Sequence, residues 1–174
     1  MKLNRNQLAK FLPDNEAIRG FEELMATADK ADQSAGNLAS VLSTVTAADT
    51  TLVTAATSEV LAQNSTYQFE FFGAYTVVSA VVGTRWIVNG PAASVLAYSS
   101  EYSLTATSKT VNSLAAYNLP AAANASSAAT GGNVAHIIGI VKPSANGSLS
   151  IQFASGGASA VNLVASSLRL IRLT

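Results

Sequence analysis

Few side chains in this sequence could do chemistry, and they are scattered. His136 is the single histidine among 174 residues. It stands in an apolar run, Ala135-His136-Ile137-Ile138-Gly139-Ile140-Val141, where a hydrogen-bonded structural histidine is a simpler reading than a catalytic base. Glycoside hydrolysis needs two carboxylates flanking the scissile bond, and beyond Glu59 only Glu70 and Glu101 remain. Glu70 alternates with aromatics and reads as an outward strand residue. A Ser–His–Asp triad would need His136 to reach Asp49, the last aspartate, which precedes the β-rich part of the sequence. HExxH, GxSxG, P-loop and Asp-rich calcium sequences are absent. The lack of cysteine removes zinc–thiolate sites and cysteine nucleophiles. The sequence therefore assigns no catalytic residue, no metal ligands and no cofactor, and reads as a non-enzyme. Trp86, Tyr98, Tyr102 and Tyr117 could stack on a sugar ring, although core packing accounts for such rings equally well. Asn64-Ser65-Thr66, Asn124-Ala125-Ser126 and Asn146-Gly147-Ser148 match the glycosylation sequon, which is frequent in so Ser/Thr-rich a sequence.

The elements that must position these residues can be read from charge and periodicity. Hydrophobic residues make up 49% of the total and charged residues 11%, with ten bases against ten acids. That composition is too apolar for a disordered protein. Without a basic cluster it carries no electrostatic footprint for nucleic acid, and no apolar run is long enough to span a membrane. The charge is concentrated: residues 1–32 hold five bases and six acids, whereas Tyr102 to Leu168 contain only Lys109 and Lys142. The opening Met1-Lys2-Leu3-Asn4-Arg5-Asn6 lacks the apolar core of a secretory signal peptide, so synthesis in the cytoplasm without export is expected.

In the charged segment, Asp14 after Pro13 reads as an N-cap, with Glu16 favouring the positive end of a helix. Ile18, Phe21, Leu24, Met25 and Ala28 form an apolar stripe at helical spacing. Alternating steps of four and three from Ala17 reach Phe21, Leu24, Ala28, Ala31, Ala35, Leu38, Leu42 and Val45, an a/d pattern for a coiled coil. A self-associating stem and a single helix packed on a neighbouring protein both satisfy it. Ile18, Phe21, Leu24, Met25, Leu38 and Leu42 are the expected contact residues of this segment, assigned to residues 1–48.

After Asp49 the period becomes two, as in Thr66-Tyr67-Gln68-Phe69-Glu70-Phe71 and Ser148-Leu149-Ser150-Ile151-Gln152-Phe153. Further β-rich runs are Ala74–Val82, Arg85–Val88, Ser94–Tyr98, Tyr102–Thr107, Val134–Val141, Ala160–Val164 and Leu168–Leu173, punctuated by Gly, Asn and Pro. Eight to ten short strands predict an antiparallel β-sandwich, a jelly roll, over residues 49–174. Asn146-Gly147 is a turn signal ahead of the Ser148–Phe153 run. Ser113 to Asn133 has no charge and no apolar period, and reads as a packed connection across the end of the sandwich, with a sugar-binding loop as the alternative. His136, Ile138 and Ile140 share a strand apolar on both faces, which predicts a second burial surface between subunits or a loop covering the outer face. A cyclic homotrimer would supply the former.

Two sets of residues carry a resemblance. Arg5 to Leu24 (RNQLAKFLPDNEAIRGFEEL) resembles the FLPD-x-x-x-IR-x-FE opening of small virion proteins of tailed bacteriophages. Thr66–Phe71, Gly83-Thr84-Arg85-Trp86-Ile87-Val88-Asn89-Gly90-Pro91, Ile138 to Ser155 and Ser167 to Leu173 resemble the C-terminal domain of phage tail, fibre and decoration proteins. Gly156-Gly157 follows Ser155 where such proteins often carry a charge. The resemblance implies a trimeric jelly roll of the tumour-necrosis-factor and complement C1q kind, in a structural protein of the virion. Its partners would be further copies of itself and other capsid or tail proteins, with host surface glycan as the alternative ligand.

Overall fold

The computed structural model describes residues 23, 37–41, 44–128 and 131–173. The protein divides into two units, 1–35 and 36–174, and the second is built almost wholly of strands. In sequence order these are β1 (Asn37–Val41), β2 (Val45–Ala47), β3 (Val53–Leu61), β4 (Tyr67–Val77), β5 (Thr84–Asn89), β6 (Ala93–Ser103), β7 (Lys109–Leu114), β8 (Asn133–Pro143), β9 (Gly147–Ser155) and β10 (Val161–Arg172). All pair antiparallel. One sheet has seven strands in the order β1-β10-β4-β8-β6-β7, with β2 also on β10; the other has the order β3-β9-β5.

The alternation written into β4 places its residues. Tyr67, Phe69, Phe71, Tyr75 and Val77 are buried, while Phe72 and Thr76 are exposed and Gln68 and Glu70 lie between. Leu149, Ile151 and Phe153 of β9 are buried from the opposite layer. The layers meet at Trp86, which stacks on Phe153 of its own sheet at 4.7 Å and faces Phe71 and Tyr75 of the other at 5.8 and 5.2 Å. Each such aromatic pair contributes about 0.5–1.5 kcal/mol beyond the area it buries. Gly139 of β8 faces inward where three strands crowd together. A Cβ there would stand 2.5 Å from that of Tyr98, 2.6 Å from the Ala97 carbonyl oxygen and 2.7 Å from the Phe69 ring. The residue must be glycine for β4, β6 and β8 to lie side by side here.

Several expectations need correction. The heptad does not extend to Val45 as a helix: Leu38 lies in β1, opposite Arg169, and Val45 begins β2. The division into units falls at Gly36. The residues after Gly36 are rich in Ser, Thr and Val, poor helix formers, and the long β10 offers an edge whose amides need partners. Pairing with that edge outweighs the apolar spacing. Ile18, Phe21, Leu24, Met25 and Leu42 lie outside the described residues.

The turn at Asn146-Gly147 is a corner between the sheets, since β8 and β9 belong to different ones. Among the described non-glycine residues, Asn64 and Asn118 have positive φ. The two runs expected within 160–173 form one strand, β10, with a bulge between Leu163 and Ala165.

Candidate interaction surface

The outward face of the seven-stranded sheet gathers the polar chemistry that the sequence scattered. Register fixes it row by row. Ser167, Phe72, His136, Glu101 and Val111 lie side by side across β10, β4, β8, β6 and β7. The next row runs Arg169, Glu70, Ile138, Ser99 and Ser113, and the third runs Ile171, Gln68, Ile140 and Ala97. Phe72, Ile138 and Ile140 are 48%, 36% and 43% exposed at the centre of a sheet, where both neighbouring strands are present. Apolar side chains on the solvent face of central strands form a patch that a monomeric sandwich does not require.

Charged groups are interleaved with this patch. His136 Nε2 lies 3.0 Å from Glu70 Oε1, and the Phe72 ring stands 6.4 Å from the imidazole. Lys109 Nζ lies 3.6 Å from Glu101 Oε2. Each carboxylate that could have served hydrolysis therefore has a basic neighbour. Hydrogen bonds from the Thr51 side chain and then from its N–H, at 2.7 Å, lower the pKa of the Asp49 carboxylate; the carboxylate beside His136 is that of Glu70. Among the described residues no three His, Asp or Glu side chains gather as metal ligands.

The aromatic residues considered for sugar binding belong mostly to the core. Trp86, Tyr98 and Tyr102 are 0%, 5% and 1% exposed, so no ring face is open to a ligand. Trp86 Nε1 donates to Thr84 Oγ1 at 3.2 Å. The Tyr98 hydroxyl reaches the Ala116 and Leu119 carbonyls at 3.0 and 2.9 Å; burial pushes its pKa up to about 12. Burial likewise raises Tyr75, Tyr102 and Tyr117. Tyr117 is half-buried, with its hydroxyl enclosed beside Gly90. A buried Trp in an Arg-Trp-Ile-Val run looks the same in sequence as one lining a groove, because β5 is covered on both faces.

The described residues of the uncharged connection from β7 to β8 form a packed strap, but not one across the end of the sandwich. It runs along the free edge of β5, where Asn118 N donates to Val88 O at 2.9 Å and Asn124 N to Thr84 O at 3.0 Å. The Asn124 side chain accepts from Thr84 N at 2.7 Å and donates to Ser103 O and Thr110 Oγ1, each at 3.0 Å. Its amide is thus fully engaged within the fold. Gly83 allows the close approach, since a Cβ there would strike the Asn124 backbone. The places of Phe72 in the outward patch and of Asn124 in the strap do not follow from sequence reasoning. The aromatic alternation around Phe72 and the glycine at position 83 are the only signals of them.

No protein-family model, no curated protein and no solved structure matches this sequence. Among the described residues, no helix is long and apolar enough to cross a membrane.

Proposed function

We propose that this protein is a non-enzymatic structural component of a tailed-bacteriophage particle. In this reading its β unit is displayed as a trimeric jelly-roll knob, and its charged N-terminal segment docks on a capsid or tail protein. The observation that carries the assembly reading is the outward face of the seven-stranded sheet. Phe72, Ile138 and Ile140 stand exposed beside the Glu70–His136 pair, a mixture suited to contact between copies. The jelly-roll reading is supported by nested pairing, β1 with β10, β3 with β9 and β4 with β8, the order produced by folding one long hairpin over itself. β6 departs from that scheme, joining β8 instead of pairing with β5. Three docking segments on one knob would turn a weak contact into avidity.

Native mass measurement of the full-length protein at micromolar concentration tests the assembly: three copies are expected, and a clean monomer would overturn the trimer. Deleting residues 1–32 is expected to leave a folded knob missing from purified particles. Incorporation of that truncation at the normal level would sink the docking role.

A further inference from the structure

The corner between β8 and β9 carries an Asn-Gly pair, and so does the turn after β5. The two turns touch, since a Cβ on Gly147 would stand 2.9 Å from Pro91 Cβ. An asparagine followed by glycine can cyclise, because the following amide nitrogen has no neighbouring side chain to hinder its approach to the carboxamide carbon. The two asparagines are held differently. The Asn89 Oδ1 accepts the N–H of Gly90 itself at 2.8 Å, so the nitrogen that would attack is hydrogen-bonded to the oxygen of its own target. Attack at that site must first break this bond. The Asn146 Oδ1 instead accepts the N–H of Gln63, from the turn joining β3 to β4, at 2.7 Å. Asn146 is exposed to water, whereas Asn89 is only partly so.

We propose that Asn146 is a site of self-modification, with the Gln63 amide acting as a one-donor oxyanion hole. The Gly147 nitrogen loses its proton to solvent base and attacks Asn146 Cγ. The forming C–N bond drives negative charge onto Oδ1, where the Gln63 N–H is already aimed. The bond from Cγ to Nδ2 then breaks, Nδ2 takes up a proton, and ammonia leaves behind a succinimide. Water opens this ring at either carbonyl, giving aspartate or isoaspartate at position 146. The balance is asparagine plus water to a carboxylic acid plus ammonia, with no oxidant or reductant. The protein starts with no net charge, so each event leaves the modified copy with one negative charge. Isoaspartate also adds a backbone carbon at the corner joining the two sheets.

The test is incubation of the intact folded protein at mildly alkaline pH. Mass spectrometry would follow the gain of about one dalton per event and locate it by fragmentation that separates aspartate from isoaspartate. Asn146 is expected to convert about tenfold faster than Asn89 or more, a modest share of what one oxyanion donor supplies in an enzyme. In denaturant the ratio should collapse toward one, because both are Asn-Gly. The variant Asn146→Gln, which disfavours the five-membered ring, should remove the fast phase and leave the slow one. Equal rates at the two sites in the folded protein, faster reaction at Asn89, or no conversion at Asn146 would each overturn the proposal.

Discussion

The two faces of the seven-stranded sheet are made from the same strands and answer to different constraints. On β4, the inward Phe69, Phe71 and Tyr75 have exposures of 0%, 0% and 1%, and ring geometry and glycine placement are fixed to within a methyl group. One residue along, Glu70 and Phe72 look outward to a face where apolar and charged groups alternate and contacts are sparse. The inner face stores the stability of the unit. The outer face holds what a fold alone would not need, so substitutions on the two sides should separate stability from assembly.

The sharpest break comes from the inside. Trp86→Ala removes the ring shared by Phe71, Tyr75 and Phe153, and should cost about 3–5 kcal/mol, read from the urea midpoint. A loss below about 1 kcal/mol would mean the two sheets are not held together at that ring. A second, graded loss should come from pH. The folded state keeps Tyr98 neutral up to about 12, so the unfolded state releases this proton first. Stability is complete below the ordinary phenol value near ~10 and falls as pH rises from there toward the folded value. Tyrosinate absorbance followed together with circular dichroism should show ionisation of the buried phenols coinciding with unfolding; ionisation with the fold intact would contradict their burial. The smallest effect on stability belongs outside: Ile138→Ser should shift it by no more than about 0.5 kcal/mol, yet abolish the three-copy mass. A loss of core size would show that the outer face is internal to the protomer.

How much of this could be read in advance follows the contrast between side chains. β4 and β9 are visible in the sequence because large apolar residues alternate with polar ones, and each residue's face follows from that period. β1, β2, β3 and β7 are not, because Ala, Ser, Thr and Val in sequences such as Val53-Thr54-Ala55-Ala56-Thr57 give little difference between faces. Their strand state comes from the neighbours they pair with. Trp86, Tyr98 and Tyr102 are visible as aromatic residues, but whether they lie inside or outside depends on the second layer. His136 and Glu70 are 66 positions apart, and only the register of β4 against β8 brings them together. The second apolar face of β8 is legible, because that strand shows it within seven consecutive residues.

The strap between β7 and β8 has a consequence for how the unit is made. The carbonyls of Thr84 and Val88 on the open side of β5 are closed by Asn124 and Asn118, residues that emerge from the ribosome well after the strand they seal. Until they dock, β5 has no cover on that side, and a strand from another nascent molecule competes for the same groups. A seal that arrives from the same molecule, with no charge of its own to repel a neighbour, makes the speed of loop docking the quantity that separates soluble yield from aggregation.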